Sequence, residues 1–254
     1  MLVAILALVV IAYAAACGAL FWFQRSLVFF PQPRELGTRA LDSFRNGDTL
    51  LQLTVRPHAG PGAVLYFGGN AEDVSGSLEP LVAAFPDREI VMLHYRGYGG
   101  SGGEPGEEAI AGDAAALFDR VHAQHPDVVL VGRSLGTGVA LRLASTRPAT
   151  RVVLVTPYDS MVEIAQSHYR VFPVYWLMRD KFESWRYVPD VKVPTRIIAA
   201  GRDEVIPAAS TERLRARFAP GQASWVLFPD AGHNTLSAEP GYVDALAGKP
   251  AAGG

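Results

Sequence analysis

The spacing of apolar positions divides the chain into three parts. Met1 to Phe23 is an apolar run with no charged side chain. About 20 such residues cross a bilayer as one helix. From Leu50 onward, short apolar runs alternate with stretches of helical character. The runs at 49–55, 63–67, 89–95, 128–132, 151–156, 195–200 and 224–228 predict strands. The later ones are continuously apolar rather than alternating, as in strands covered on both faces of a parallel sheet. Helices are predicted over 107–124, 135–145 and 207–218, ended by Pro126, Pro148 and Pro220. The third part, 158–194, interrupts the alternation. It is long and aromatic, and it separates two strands by more than a usual crossover loop. It predicts a short helical lid.

Alternation of strand and helix predicts an α/β domain with a mainly parallel sheet and helices on both faces. In such sheets ligands bind at the carboxyl ends of the strands, so chemistry is sought there. The stretch "VVLVGRSLGTGVALRLAS" (128–145) places Ser134 between Gly132 and Gly136, where a strand gives way to a helix. Five residues of this kind could form an ordinary turn. The buried strand before them and the helix after them match the nucleophile elbow G-x-S-x-G instead. The serine must take a strained backbone conformation, and the two glycines must approach closely. Gly138 is expected to let the new helix pack against the sheet. The helix N-terminus favours negative charge, so the Leu135 amide is expected to be one oxyanion donor.

A second donor is expected from the loop after an earlier strand. "AVLYFGGNAEDV" (63–74) offers Gly68-Gly69-Asn70, with the Asn70 amide as donor. Of six histidines, only His233 follows the last strand in a loop, and it is the expected base. The orienting acid should fall between serine and histidine in sequence. Asp203 follows the strand 195–200; Asp159, after the strand 151–156, is its rival. Glu204 reads as a solvated surface charge. His94 ends a strand and His168 falls in the lid; His122 and His125 read as an exposed helix end.

Charge and composition narrow the partners. Lys plus Arg number 23 and Asp plus Glu 25, interspersed, so a nucleic-acid partner is not expected. The single cysteine allows no internal disulfide. The histidines show no zinc-like spacing with acids or Cys17, so no metal and no organic cofactor is expected. For the N-terminal run, the rival to an uncleaved anchor is a signal peptide, with "AAAC" before Gly18 faintly like a lipoprotein cleavage site. A signal should carry a basic leading segment, and no Lys or Arg precedes the run. Arg25, Arg34, Arg39 and Arg45 all follow it, which places the domain on the cytoplasmic side of a single span.

With Ser134, Asp203 and His233 in this order, the chain resembles the α/β-hydrolase superfamily. Within it, the chain is similar to the membrane-anchored Bem46-type hydrolases related to the ABHD13 and ABHD17 groups. "YFGGNAEDV", "YRGYGGSGGEP", "GRSLGTG", "TPYDS", "GRDEVIP" and "AGHN" fall in the family's order, from about Gln24 to Tyr242. Two departures stand out. Gly68 replaces a usual histidine, and His94 replaces a frequent aspartate. Arg96 is expected to tie down loop carbonyls.

The resemblance implies an α/β-hydrolase fold and hydrolysis of an acyl ester or thioester, on a small-molecule or lipid-like substrate. The expected organisation is an anchor over 1–23, a hydrolase domain over 24–247 with its lid at 158–194, and a disordered tail at 248–254. Two rivals remain. A serine peptidase would use the same triad, although the lid resembles no large peptide-selecting domain. A non-catalytic membrane scaffold would keep the fold and lose the chemistry.

Overall fold

The computed structural model describes residues 1–34 and 41–249. The expected tail at 248–254 lies outside the described residues apart from Gly248 and Lys249. Eight strands form one sheet: β1 (Leu41–Asn46), β2 (Thr49–Arg56), β3 (Gly62–Phe67), β4 (Glu89–Leu93), β5 (Asp127–Arg133), β6 (Arg151–Val155), β7 (Thr195–Ala200) and β8 (Ala223–Phe228). Their spatial order is β1-β2-β4-β3-β5-β6-β7-β8. The β1–β2 and β2–β4 pairs are antiparallel, and every later pair is parallel. The α/β reading therefore holds. β1 was not expected, because four of the six residues in "LDSFRN" are polar, and the strand is mostly exposed at the sheet edge.

The helices are α1 (Leu2–Val28), α2 (Leu78–Ala84), α3 (Glu107–His122), α4 (Leu135–Ala144), α5 (Met161–His168), α6 (Val174–Leu177), α7 (Ala208–Arg215) and α8 (Tyr242–Ala247). Alternate side chains of each central strand feed two cores, as the period of two in a strand requires. Leu65, Phe67 and Leu130 meet α3 and α4 on one face. Val64, Tyr66 and Val129 meet α2 and α8 on the other.

Helix α1 is apolar and long enough to cross a membrane, and it runs on past Phe23 to Val28. Residues 2–12 are exposed. From Tyr13 onward the helix lies against the lid segment. The Tyr13 hydroxyl donates to the Val171 carbonyl at 2.8 Å, and its ring stacks on Phe172 at 5.7 Å. Gln24 is buried: its amide donates to the Phe21 and Leu177 carbonyls, and its side-chain oxygen accepts from the Arg179 amide. Arg25 pairs with Asp180 at 3.2 Å. Phe29, directly after the helix, is buried edge-on against Phe182.

Candidate active site

The strand order reverses between β3 and β5, and the loops at their carboxyl ends carry Asn70 and Ser134. That is where an open parallel sheet leaves a crevice for a ligand. Ser134 has φ +48° and ψ −118°, a region costly for any residue with a Cβ. The surrounding contacts hold it there. A Cβ on Gly132 would strike the Gly136 carbonyl, and one on Gly136 would strike that of Phe67. The glycines thus serve close backbone approach, as expected. Gly138 has a different reason: a Cβ there would meet the Tyr158 hydroxyl at 2.6 Å and the Ser184 Oγ of the lid segment at 3.2 Å.

Three side chains expected from the sequence converge. Ser134 Oγ lies 3.0 Å from His233 Nε2, and His233 Nδ1 lies 2.9 Å from Asp203 Oδ2. Ser134 and His233 are 9% and 5% exposed, so water screens this chain of contacts little. Asp203 is fixed by the Val205 and Ile206 amides, which donate to its Oδ1 at 2.9 and 2.7 Å. Asp159 sits elsewhere. It accepts from Ser210 Oγ at 2.6 Å, from the Ser160 amide and from Arg213, which ties the start of the lid segment to α7.

Leu135 is the first residue of α4, so its amide is among those a helix leaves without an internal partner. Leu135 and Asn70 line one cavity with Ser134. The Asn70 side chain is fully engaged: its amide donates to the Val28 carbonyl at 2.6 Å, and its oxygen accepts from the Phe30 amide and the Tyr98 hydroxyl. The loop carrying the second expected donor is thereby tied to the end of α1.

Sequence reasoning missed Glu72 and Arg133. Arg133, the variable residue before Ser134, pairs with buried Glu72 at 3.0 Å. Glu72 also accepts from the Gly69 amide and from the Tyr66 and Ser77 hydroxyls. Burial pushes its carboxyl up, but Arg133 and these donors outweigh burial and hold it below the ordinary range. The available signal was an acid three residues after Gly69 and a base beside the elbow serine.

Several secondary expectations are corrected. Glu204 is not merely solvated; it accepts from the His233 amide at 3.1 Å. His125 is buried, with Nδ1 2.8 Å from the Gly60 carbonyl. Arg96 grips the Asp113 carboxylate of α3 at 2.7 and 2.8 Å, where loop carbonyls were expected. His94 packs beside Gly99, with Nε2 2.9 Å from Thr54 Oγ1. Burial holds its ring down at about 4, with Asp73 opposing and Arg34 adding to the shift. At Gly68 a Cβ would strike Val74, which leaves no room for the histidine that the resemblance places there.

The cavity above Ser134 measures about 460 Å³. Its walls come from α1, α5, α6 and the residues beside Asp203, and most are apolar. Among the described residues, no group of three or more His, Cys, Asp or Glu is placed to hold a metal.

A model of the alpha/beta hydrolase fold matches residues 57–184. An uncharacterized protein of Mycobacterium tuberculosis is 34% identical over 249 residues, covering 91% of this chain and 87% of that protein. The lysophosphatidylserine lipase ABHD12 of Macaca fascicularis is 31% identical over 184 residues, 63% of this chain and 46% of the lipase. Protein bem46 of Schizosaccharomyces pombe is 24% identical over 266 residues, 91% of this chain and 87% of that protein.

Proposed function

This chain belongs to the α/β-hydrolase family, and from that premise we propose that it is a membrane-anchored serine hydrolase cleaving acyl esters or thioesters. The observation that carries the reading is the Ser134–His233–Asp203 chain of contacts at 3.0 and 2.9 Å. In this reading His233 Nε2 takes the proton as Ser134 Oγ attacks the substrate carbonyl. Asp203 accepts the Nδ1 proton, which fixes the tautomer and stabilises the imidazolium. The oxyanion meets the Leu135 and Asn70 amides; one such donor is worth about 3 kcal/mol of barrier. The carbonyl carbon then releases the alcohol or thiol, which takes its proton from His233. Water, activated by the same ring, frees the acid and restores Ser134.

The acyl group is assigned to the apolar cavity beside Ser134, and the ABHD12 relationship points toward lipid-like esters. The anchor is assigned to 1–23 and the hydrolase domain to 24–247, with the domain on the cytoplasmic side. Retention of the helix is supported by its packing: cleavage before Cys17 would remove the Tyr13 contacts with Val171 and Phe172. The test is steady-state turnover of a short p-nitrophenyl ester. Ser134→Ala should abolish it in a chain that keeps its circular-dichroism spectrum. Unchanged turnover in that variant would refute the mechanism.

A further inference from the structure

The cavity above Ser134 is only partly built by the hydrolase domain. Leu20, Gln24, Leu27 and Val28 of α1 form one part of its wall, and α5 and α6 with the loop between them, which adjoin α1, form another. Of the polar residues in this lining, Gln24 and Asn70 have their side chains spent on partners within the fold, Ser134 is the proposed nucleophile, and His168 and Tyr169 are exposed. No Asp, Glu, Lys or Arg lines the cavity. Its volume of about 460 Å³ is that of a small-ligand site, with Ser134 at its base. The body of whatever reaches Ser134 by this route is therefore apolar.

Depth follows from helix geometry. The lid touches α1 from Tyr13 to Arg25. At about 1.5 Å per residue those contacts extend about 18 Å along the helix axis. Tyr13 to Phe23, most of that length, is the C-terminal end of the apolar run that would occupy the hydrocarbon of a bilayer. For α1 to cross, this stretch lies within the apolar layer, and the part of the lid that touches it lies there too. The lid surface fits that position: Val171 is 74% and Trp176 82% exposed. Three cations lie on this surface: Arg170, which donates from Nε to the Ser167 carbonyl, Lys181 on the Tyr175 ring beside Trp176, and Arg179 on the Phe21 ring; their long stems can carry the heads toward the interface.

On the serine-hydrolase reading above, we infer that α1 is a wall of the substrate site as well as an anchor. The substrate is a long-chain acyl ester drawn sideways from the bilayer leaflet beside the domain. Its chain lies between α1 and the lid, and its carbonyl sits at Ser134. Leu20 is the residue of α1 that limits chain length.

The test uses the full-length chain in nanodiscs and compares p-nitrophenyl esters of 4 and 16 carbons. A buried methylene is worth about fourfold in binding, so excluding two or more should cost at least about tenfold. Leu20→Trp should lower the 16-to-4-carbon ratio of kcat/KM by that much. Ala19→Trp, on an exposed position of the same turn, should keep the wild-type ratio. A second measurement uses the wild-type chain: a 16-carbon fluorophosphonate with a terminal diazirine, irradiated after it has reacted. Crosslinks should fall on α1 or on residues 161–178. An unchanged ratio in Leu20→Trp, or crosslinks confined to other surfaces, overturns the inference while leaving the hydrolase standing. No phosphonate adduct at all overturns the hydrolase reading and this inference with it.

Discussion

Arg133 and Glu72 meet at 3.0 Å beneath the site, and each is bound to a different loop as well. Glu72 holds the Gly69 amide beside Asn70. Arg133 reaches the His233 carbonyl at 3.4 Å and Asn234 Oδ1 at 3.1 Å. One ion pair thus joins the loop of the proposed oxyanion donor, the serine elbow and the histidine loop. Neither of the two side chains lines the apolar cavity beside Ser134.

Removing one partner of such a pair leaves the other charge buried and unpaired, which costs about 3–5 kcal/mol. Glu72→Gln and Arg133→Met should each lower unfolding stability by that order. The double variant Glu72→Gln/Arg133→Met should lose less than the two single losses added together. Chemical denaturation of all three chains in detergent measures this. Strict additivity would show that the pair is not coupled.

His94 sets a second expectation. Its ring is held at about 4, against an ordinary value of about 6.5. Above pH 6.5 the ring is neutral in both states and contributes no pH dependence. As pH falls below 6.5 the unfolded chain takes up a proton that the fold refuses, so stability drops until about pH 4. Between pH 7 and 5 the loss is about 2 kcal/mol. His94→Gln should remove that part of the slope. Parallel slopes in the two chains would contradict the buried, neutral assignment.

The two aspartates should separate by kinetics. Asp203→Asn removes the acceptor for His233 Nδ1–H and should lower kcat by about 10⁴, as in the worked serine-protease case. Asp159→Asn cuts contacts to Ser210 and Arg213 and should act on stability or KM instead. Steady-state kinetics with circular dichroism on both variants is the measurement. A near-normal kcat for Asp203→Asn beside a collapsed one for Asp159→Asn would reverse the roles.

Much of the framework was legible because strong local signals marked it. Continuous apolar runs announced the parallel strands, and Gly132-Arg133-Ser134-Leu135-Gly136 announced a strand-to-helix turn. The loops holding Asp203 and His233 followed from strand ends together with the Ser-Asp-His chain order of the motif. What escaped depended on tertiary partners. β1 is an edge strand whose polar residues carry no hydrophobic period. Glu72 and Arg133 looked like ordinary charges, because only the fold brings a loop after β3 under the end of β5. The join between α1 and the lid was hidden as well: Gln24 looks like the polar end of an anchor until Leu177 and Arg179 are placed beside it.

The proposed anchor should resist extraction. A full apolar span is not removed like a peripheral contact, so the full-length chain should stay in the membrane pellet after alkaline carbonate washing. Recovery in the soluble fraction would contradict the span, and a mature N-terminus at Cys17 would replace it with a lipoprotein anchor.

The central claim is that Ser134 is the nucleophile, and the site of covalent modification tests it most directly. The full-length chain is treated with a fluorophosphonate, digested and sequenced by mass spectrometry. The account predicts one adduct, on Ser134, that is absent from Ser134→Ala and strongly slowed in His233→Ala. An adduct on another residue, or equal labelling of the Ser134→Ala chain, would contradict it.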